Sequence, residues 1–261
     1  MFEVVTTDTL VQAAQAMSDR SRFMGGGTLI MRQVNYGDQR FNRIVRCSED
    51  LREIRVDGSR IVIGSGVTMA NILASRELEF LAPAARAVGG PAVRNMATVG
   101  GNLMAHHPYG DVAVALLALD GQVTMADGAT RPLADYLATR QGLVRSVSIV
   151  RPDRDALRFR KVSRVKPKGV SVMSMAAHLP RAMGRLSNVA IAYGAMADTA
   201  IRVPAVERAL EGASLDKAGI APALAAATDG LSPPDDALAS SWYRREVAPV
   251  HLSRLLLGEA A

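Results

Sequence analysis

The chain has 261 residues, 49% of them apolar, which is enough for one large domain or two to three small ones. Its net charge is +6, but the 31 basic residues are scattered among 25 acidic ones and only 4% of residues are aromatic, which argues against nucleic-acid binding. Cys47 is the single cysteine, which excludes an internal disulfide, a Cys-ligated iron–sulfur cluster and a four-thiolate zinc site.

The chain also lacks the sequence features of a membrane or exported protein. It has no run of 18 apolar residues, and its first ten residues, MFEVVTTDTL, carry neither a basic region nor a long apolar region. We therefore expect a cytoplasmic protein without membrane insertion. The excess of positive charge fits an acidic partner subunit or a bound diphosphate.

The first 56 residues predict a small βαβ lobe. Apolar residues at helical spacing predict a helix over residues 7–17, with Thr7 or Asp8 as its N-cap. Short strands are predicted at 22–24 and 43–47, the first of them leading into a glycine segment. A hairpin with Asp57-Gly58 at its centre then separates this lobe from a second lobe over residues 57–155.

The second lobe is predicted to mix helices and strands. Helices are expected over 68–76, from Pro83 onward and over 111–119, and a second hairpin has Asp127-Gly128 at its tip. Strands over 143–150 and 157–162 flank a turn at 151–153, which marks the edge of this lobe.

From Ser171 onward the pattern predicts two or three strands followed by helices around 206–210, 221–228 and 242–257. Strands followed by helices are typical of a small α+β layer with its own core.

Two glycine-rich segments dominate the sequence. Residues 25–28 (GGGT) follow the first short strand, and residues 98–102 (TVGGN) follow a Gly-Gly-Pro turn at 89–91. Adjacent glycines let a ligand approach the backbone closely, and a run of peptide N–H groups binds phosphate oxygens. Neither segment matches a P-loop or a G-x-G-x-x-G fingerprint, and either one alone is more typical of an ordinary turn. Together they favour a diphosphate ligand.

These motifs also resemble a known family. GGGTLI at 25–30 and ATVGGNL at 97–103, followed by Asp111 and ALLALD at 115–120, are similar to the FAD-binding (medium) subunit of molybdenum hydroxylases of the xanthine dehydrogenase and aerobic carbon monoxide dehydrogenase family. The likeness continues to FRKVSR at 159–164 and covers essentially the whole chain. It implies an α+β fold. A two-lobed PCMH-type (vanillyl-alcohol-oxidase-like) FAD-binding domain over 1–155 is followed over 156–261 by a small α+β domain of the CO dehydrogenase flavoprotein C-terminal type.

The resemblance also implies which residues bind FAD. They are Phe23, Met24, Gly25, Gly26, Gly27, Thr28, Leu29, Ile30, Val88, Thr98, Val99, Gly100, Gly101, Asn102, Asp111, Val144 and Lys161.

Four of these residues have specific expected roles. Val88 and Val144 fall where the family contacts the adenine. Lys161 falls where a cation would stabilise the charge that appears on the reduced flavin, the alternative being a solvated lysine on a strand. Asp111 is either the N-cap of the following helix or an acceptor for ribose hydroxyls, and both roles are compatible.

His106 and His107 are interpreted as polar lining of the flavin site. No further histidine or carboxylate stands at a ligand spacing, and adjacent side chains rarely point at one ion, so we predict no metal site and no catalytic residue in this chain.

The implied function is electron transfer. The resemblance implies that substrate is oxidised at a molybdopterin centre on a large subunit and that electrons cross [2Fe–2S] clusters on a small subunit to FAD here, with the subunits forming a dimer of heterotrimers. No motif decides the external electron acceptor. The alternatives are a free-standing FAD-dependent reductase or oxidase of the same fold, disfavoured because no acid–base set is visible, and a non-catalytic nucleotide-binding module.

Overall fold

The computed structural model describes residues 2–165 and 169–259. The N-terminal part is a three-stranded parallel sheet in the order β1-β3-β2. Its elements are β1 (Glu3–Thr7), α1 (Leu10–Gln15), β2 (Ser21–Phe23), α2 (Ile30–Asn35) and β3 (Arg43–Cys47). Helix α1 fits one face of the sheet because Leu10 and Ala13 are buried against Val45.

The start of α1 corrects one prediction. The N-cap is Thr9, and neither Thr7 nor Asp8 takes that place, because Thr9 and Gln12 form a reciprocal capping box. The sequence pattern identified the helix but not α2, whose six residues include none that is buried. A six-residue segment without a buried face gives no periodicity to detect.

The second sheet has five antiparallel strands in the order β4-β5-β8-β6-β7. They are β4 (Ile54–Asp57), β5 (Arg60–Gly64), β6 (Gln122–Met125), β7 (Thr130–Pro132) and β8 (Val144–Val150). The central residues of the first hairpin turn are Gly58 and Ser59, not Asp57 and Gly58, because Asp57 pairs with Arg60. Gly58 has φ +59, as a glycine at the first central position of a two-residue turn can.

Seven short helices accompany this sheet. They are α3 (Met69–Ala74), α4 (Ala82–Arg86), α5 (Pro91–Met96), α6 (Val99–Met104), α7 (Asp111–Ala118) and α8 (Leu133–Thr139), with a 3-10 helix over Arg76–Leu81. The sequence predicted α3, α4 and α7, but α5 and α6 occupy a region that we predicted as turns. A capping hydroxyl from Thr98 starts α6, which allows a helix despite its two glycines.

The C-terminal part is a four-stranded antiparallel sheet in the order β14-β13-β10-β9, with helices after it. Its elements are β9 (Leu157–Ser163), β10 (Ser171–His178), β11 (Arg181–Ala182), β12 (Arg185–Leu186), β13 (Ala190–Gly194), β14 (Ile201–Arg202), α9 (Pro204–Leu210), α10 (Ala221–Ala225) and α11 (Ser241–Leu257). The predicted order of strands first and helices after is observed. One apolar cluster unites the sheet and α9–α11.

Helix α7 lies between the second and third sheets, and all eight of its residues are buried. It contacts α4 and α6 on one side and β10 and β13 on the other. Gly194 of β13 allows this approach, because a Cβ at Gly194 would lie 2.6 Å from a methyl of Val114. A helix that is apolar on every face must be surrounded by protein, as α7 is between the two sheets. In the described ranges, no helix has the length and apolar character needed to cross a bilayer.

Because Val114 is 1% exposed, Val114→Ala should lower the free energy of unfolding by about 2 kcal/mol, through lost apolar contact and an unfilled cavity. Urea unfolding followed by circular dichroism measures this. Val250→Ala, the same substitution in a helix at a position 48% exposed, should change it by less than about 0.5 kcal/mol. Equal losses in the two variants would contradict the central position of α7.

Candidate functional site

The first glycine segment forms a run of free backbone donors. Strand β2 ends at Phe23, and the Met24 amide still donates to the Val45 carbonyl at 2.8 Å. The next six amides, residues 25–30, donate no hydrogen bond to any described residue, although all but Gly25 are partly buried. Free amides in succession at a tight turn form a concave site for an anion. The GGGT segment thus has the geometry of an anion cradle, and the binding of FAD there stays a prediction.

The second glycine segment packs directly against the first. A Cβ on Gly26 would lie 1.6 Å from the Met96 carbonyl oxygen, and one on Gly25 would lie 2.9 Å from the Thr98 hydroxyl. Only glycine permits this contact, because any side chain at residue 26 would overlap backbone. Residues that are far apart in sequence therefore form one continuous surface.

The amides of the second segment contradict one expectation. The N–H groups of Val99 and Gly100 donate to the carbonyls of Val67 and Ser65, both at 2.8 Å, and that of Gly101 donates to the Thr98 hydroxyl at 3.1 Å. All three amides therefore already donate hydrogen bonds within the protein. The segment is a capped helix and not an open turn. Gly101 is exposed, and a Cβ there would meet only the Thr98 hydroxyl, at 3.2 Å. A ligand can therefore come close to the backbone at residue 101, near the start of α6.

A nearly buried ion pair lies at the start of α7. The Lys161 ammonium donates to Asp111 Oδ2 and to the Ala87 carbonyl, both at 2.8 Å, and the Ser171 hydroxyl donates to Asp111 Oδ1 at 2.7 Å. The two charged side chains are 13% and 7% exposed. An ammonium has three N–H groups, so one remains for another acceptor. The predicted lysine and carboxylate thus meet each other, and Lys161 is not a solvated strand lysine.

The N-cap role predicted for Asp111 is wrong. Gly110 occupies the N-cap with φ +104, and the Asp111 carboxylate bonds Lys161 and Ser171 instead of helix amides. Helix α6 is tied to the same place, because the side-chain oxygen of Asn102 accepts the Ala113 amide at 2.9 Å.

The segment between α6 and α7 bonds three different parts of the chain. His106 Nδ1 lies 2.7 Å from an Arg140 guanidinium nitrogen, His107 Nε2 lies 2.6 Å from Asp236 Oδ2, and the Tyr109 hydroxyl accepts from Arg32. Since arginine only donates, His106 accepts through Nδ1. Desolvation of the ring and the positive charge of Arg140 lower the pKa of His106.

Asp236 is held by a fully buried arginine. Arg244 is 0% exposed and donates to both Asp236 oxygens, at 3.0 and 2.9 Å, while its Nε donates to the Val172 carbonyl at 2.9 Å. Burial opposes ionisation of Asp236, but hydrogen bonds from His107, from the Ala239 and Leu238 amides and from Arg244 outweigh it and hold the pKa of that carboxyl well below its ordinary value.

The two valines predicted to contact adenine belong to the same large apolar cluster. Val144 is 5% exposed at the start of β8, and Val88 is partly buried beside Ala87, whose carbonyl accepts from Lys161. Phe23, Met24, Leu29 and Ile30 flank the free amides and are partly buried. The structure therefore brings Lys161 and Asp111 together at the start of α7, with Val88 next to the Ala87 residue that Lys161 bonds, and it places Gly25 and Gly26 against Thr98 and Met96.

Sequence reasoning missed Ser171, Asp236 and Arg244. A signal existed for Arg244, because it shares one face of α11 with the buried residues Ala248 and Leu252 at four-residue spacing. An arginine on an apolar face predicts a buried acceptor, but its identity depends on which loop covers the helix. Within the described residues, no group of three or more His, Cys, Asp or Glu side chains is arranged to hold a metal ion.

Comparison with known families identifies the class of this protein. Residues 1–149 match the FAD-binding domain in molybdopterin dehydrogenase, and residues 158–258 match the CO dehydrogenase flavoprotein C-terminal domain. The chain belongs to this family of FAD-binding flavoproteins. The resemblance seen in the sequence is confirmed, and FAD is the cofactor. The free amides at 25–30 have the geometry that an FAD diphosphate would require.

Relatives match along nearly the whole length of this FAD-binding chain. It is 25% identical over 267 residues to the glyceraldehyde dehydrogenase medium chain of Sulfolobus acidocaldarius, covering 95% of each chain. It is 26% identical over 259 residues to the carbon monoxide dehydrogenase medium chain of Hydrogenophaga pseudoflava, covering 93% of this chain and 90% of that one.

A solved structure confirms the fold. Reconstituted CO dehydrogenase from Oligotropha carboxidovorans superposes with a TM-score of 0.88 at 21% identity, over 100% of this chain and 99% of that one. The predicted α+β fold, an FAD-binding domain followed by a CO dehydrogenase flavoprotein C-terminal domain, is thereby confirmed.

Two glycine variants should distinguish the effect of disturbed backbone packing from the effect of blocking the approach of the cofactor. Gly26→Ala should lower both FAD content and stability, because its Cβ would overlap the Met96 carbonyl. Gly101→Val should abolish FAD retention while leaving most of the secondary structure, because its branched side chain would enter the exposed space beside α6 where we expect the cofactor. Flavin-to-protein ratio and thermal unfolding of the apoprotein measure the two effects. Full flavin occupancy in Gly101→Val would place the cofactor elsewhere.

Proposed function

We propose that this chain is the FAD-carrying electron-transfer subunit of a heteromeric molybdenum hydroxylase. It takes electrons from [2Fe–2S] clusters on a small partner subunit and passes them to an external acceptor. A large partner subunit holds molybdopterin and the substrate, and the complex is a cytoplasmic dimer of heterotrimers. The observation that carries this proposal is the run of six free amides at 25–30, in a chain that matches two flavoprotein families over residues 1–149 and 158–258.

We further propose how the chain holds FAD. The free amides of residues 25–30 bind the diphosphate, and Gly101 lets it approach the positive end of α6. Val88 and Val144 contact the adenine. Asp111 and Lys161 face the rest of the cofactor, with the division between the FAD-binding and C-terminal domains at residues 155/156.

Electron transfer suits the chemistry of these residues. FAD, when bound, supplies the redox chemistry, and the protein supplies position and electrostatics. The charged groups of the candidate site already bond each other, since Lys161 pairs with Asp111 and Asp236 pairs with Arg244. Groups so engaged are poor proton shuttles but good fixed charges. This favours an electron relay over a free-standing oxidase that needs its own acid and base.

Isolation of the intact protein from its host tests the function. We expect the chain to co-purify with a molybdopterin-containing chain and an iron–sulfur chain, and the flavin released by heat to be FAD and not FMN. In stopped-flow experiments with a reductant that reacts only at the partner subunits, bleaching of the iron–sulfur absorbance should precede flavin reduction. An isolated yellow chain that turns over a substrate by itself would support the free-standing alternative instead, and a colourless chain would support the nucleotide-binding module.

Lys161→Met should lower the flavin midpoint potential. Removing the ammonium deletes a positive charge and leaves the Asp111 carboxylate without its cation, and both changes disfavour the more negative reduced flavin. A fall of about 30 mV or more is expected, the equivalent of about 1.4 kcal/mol for two electrons. A spectroscopic redox titration measures it.

Two variants control for the Lys161 effect. Lys161→Arg retains the positive charge and should keep the flavin midpoint potential close to the wild-type value. Lys161→Met combined with Asp111→Asn removes both charges and should return the potential toward the wild-type value. If Lys161→Met retains FAD with an unchanged potential, the ammonium lies away from the flavin ring.

A further inference from the structure

A closed circuit of hydrogen bonds joins residues 107 and 111 through the C-terminal part of the chain. His107 bonds Asp236, and Asp236 bonds Arg244. Arg244 bonds the carbonyl of Val172 on β10, and the next residue toward the N-terminus, Ser171, bonds Asp111. The circuit therefore begins at residue 107 and ends at residue 111, so it connects the two ends of the segment 107–111.

The members of this circuit are buried or nearly so, which makes the circuit rigid. Arg244 is 0% exposed, Ser171 is 1% exposed, and the His107 and Asp236 side chains are 18% and 24% exposed. Arg244 also donates to the carbonyls of Pro234 and Ala239, at 2.5 and 2.7 Å. A fully satisfied buried guanidinium fixes its partners, because every alternative position would leave a charge unpaired.

We propose that His107, through Asp236 and Arg244, is a positioning residue for the flavin site. It fixes the segment 107–111, which places Asp111 against Lys161. The positions of these two charges then set the electrostatic potential at the cofactor. This inference rests on the proposed placement of FAD beside Asp111 and Lys161. His107 touches neither of those side chains and acts through the backbone of 107–111, so its role differs from the flavin-lining role predicted from the sequence.

His107→Ala tests the proposal, because it removes the bond to Asp236 and frees one end of the segment. The FAD dissociation constant should rise about tenfold, as expected for loss of a hydrogen bond to a charged group. The flavin midpoint potential should shift from the wild-type value. In the apoprotein, hydrogen–deuterium exchange at residues 109–113 should accelerate. His107→Gln, whose amide can still donate to Asp236, should restore all three properties.

A matched control is available at the other end of α7. Asp120 bonds Arg202 on β14, so this pair joins the same two parts of the chain away from the proposed site. Because the Asp120 side chain is 72% exposed, Asp120→Asn should lower the melting temperature only slightly and should leave FAD affinity, potential and exchange at 109–113 unchanged. His107→Leu, which removes the bond but fills more of the space of the ring and leaves the Asp236–Arg244 pair intact, provides a second route with the same expected direction, should the alanine variant fail to fold.

The outcomes separate this inference from the proposed function. If wild-type protein binds FAD and His107→Ala matches Asp120→Asn in affinity, potential and exchange, the circuit is structural only and the inference is overturned. If the wild-type flavin accepts no electrons from an iron–sulfur partner, the proposed function fails, whereas the affinity and exchange measurements still decide the role of His107.

Discussion

The ion pair between Asp111 and Lys161 is the constraint on which the site depends. Two opposite charges, 2.8 Å apart and largely removed from water, stabilise a fold only when their remaining hydrogen-bonding groups are also satisfied. Ser171 and the Ala87 carbonyl meet most of that condition and leave one N–H of Lys161 for another acceptor. The pair therefore requires β9, β10, the end of α4 and the start of α7 to meet at one point, and the proposed flavin site is built around that point.

Helix α7 explains how the pair can lie so deep. All its residues are buried, so it joins the core of the five-stranded sheet to the four-stranded sheet beside it. The charged residue stands at its first turn, where the helix dipole favours a carboxylate and where α6 reaches it through Asn102. Helix α7 thus links α6, and with it the second glycine segment, to the C-terminal half of the chain.

The two glycine segments differ in what their backbone amides bond. Residues 25–30 leave their amides free, whereas the amides of Val99 and Gly100 are used to anchor α6 on the carbonyls of Val67 and Ser65. The glycines at 100 and 101 therefore serve close approach and not a bend: Gly100 contacts Ser65, and Gly101 faces outward. The first segment gains its shape from this anchored neighbour, since Gly26 lies against Met96.

The sequence by itself determined the α+β class, most strands and long helices, the family and FAD as the ligand. These follow from local patterns: alternation in β10, the continuous apolar run of α7, and the motifs at 25–30, 97–103 and 159–164. The tertiary structure alone decided that 98–102 begins a helix, that Gly110 caps α7, and that Asp236 bonds both His107 and Arg244. The reason is physical. Propensity and periodicity act between neighbouring residues, whereas the partner of a buried charge or a free amide is set by chain segments that only folding brings together.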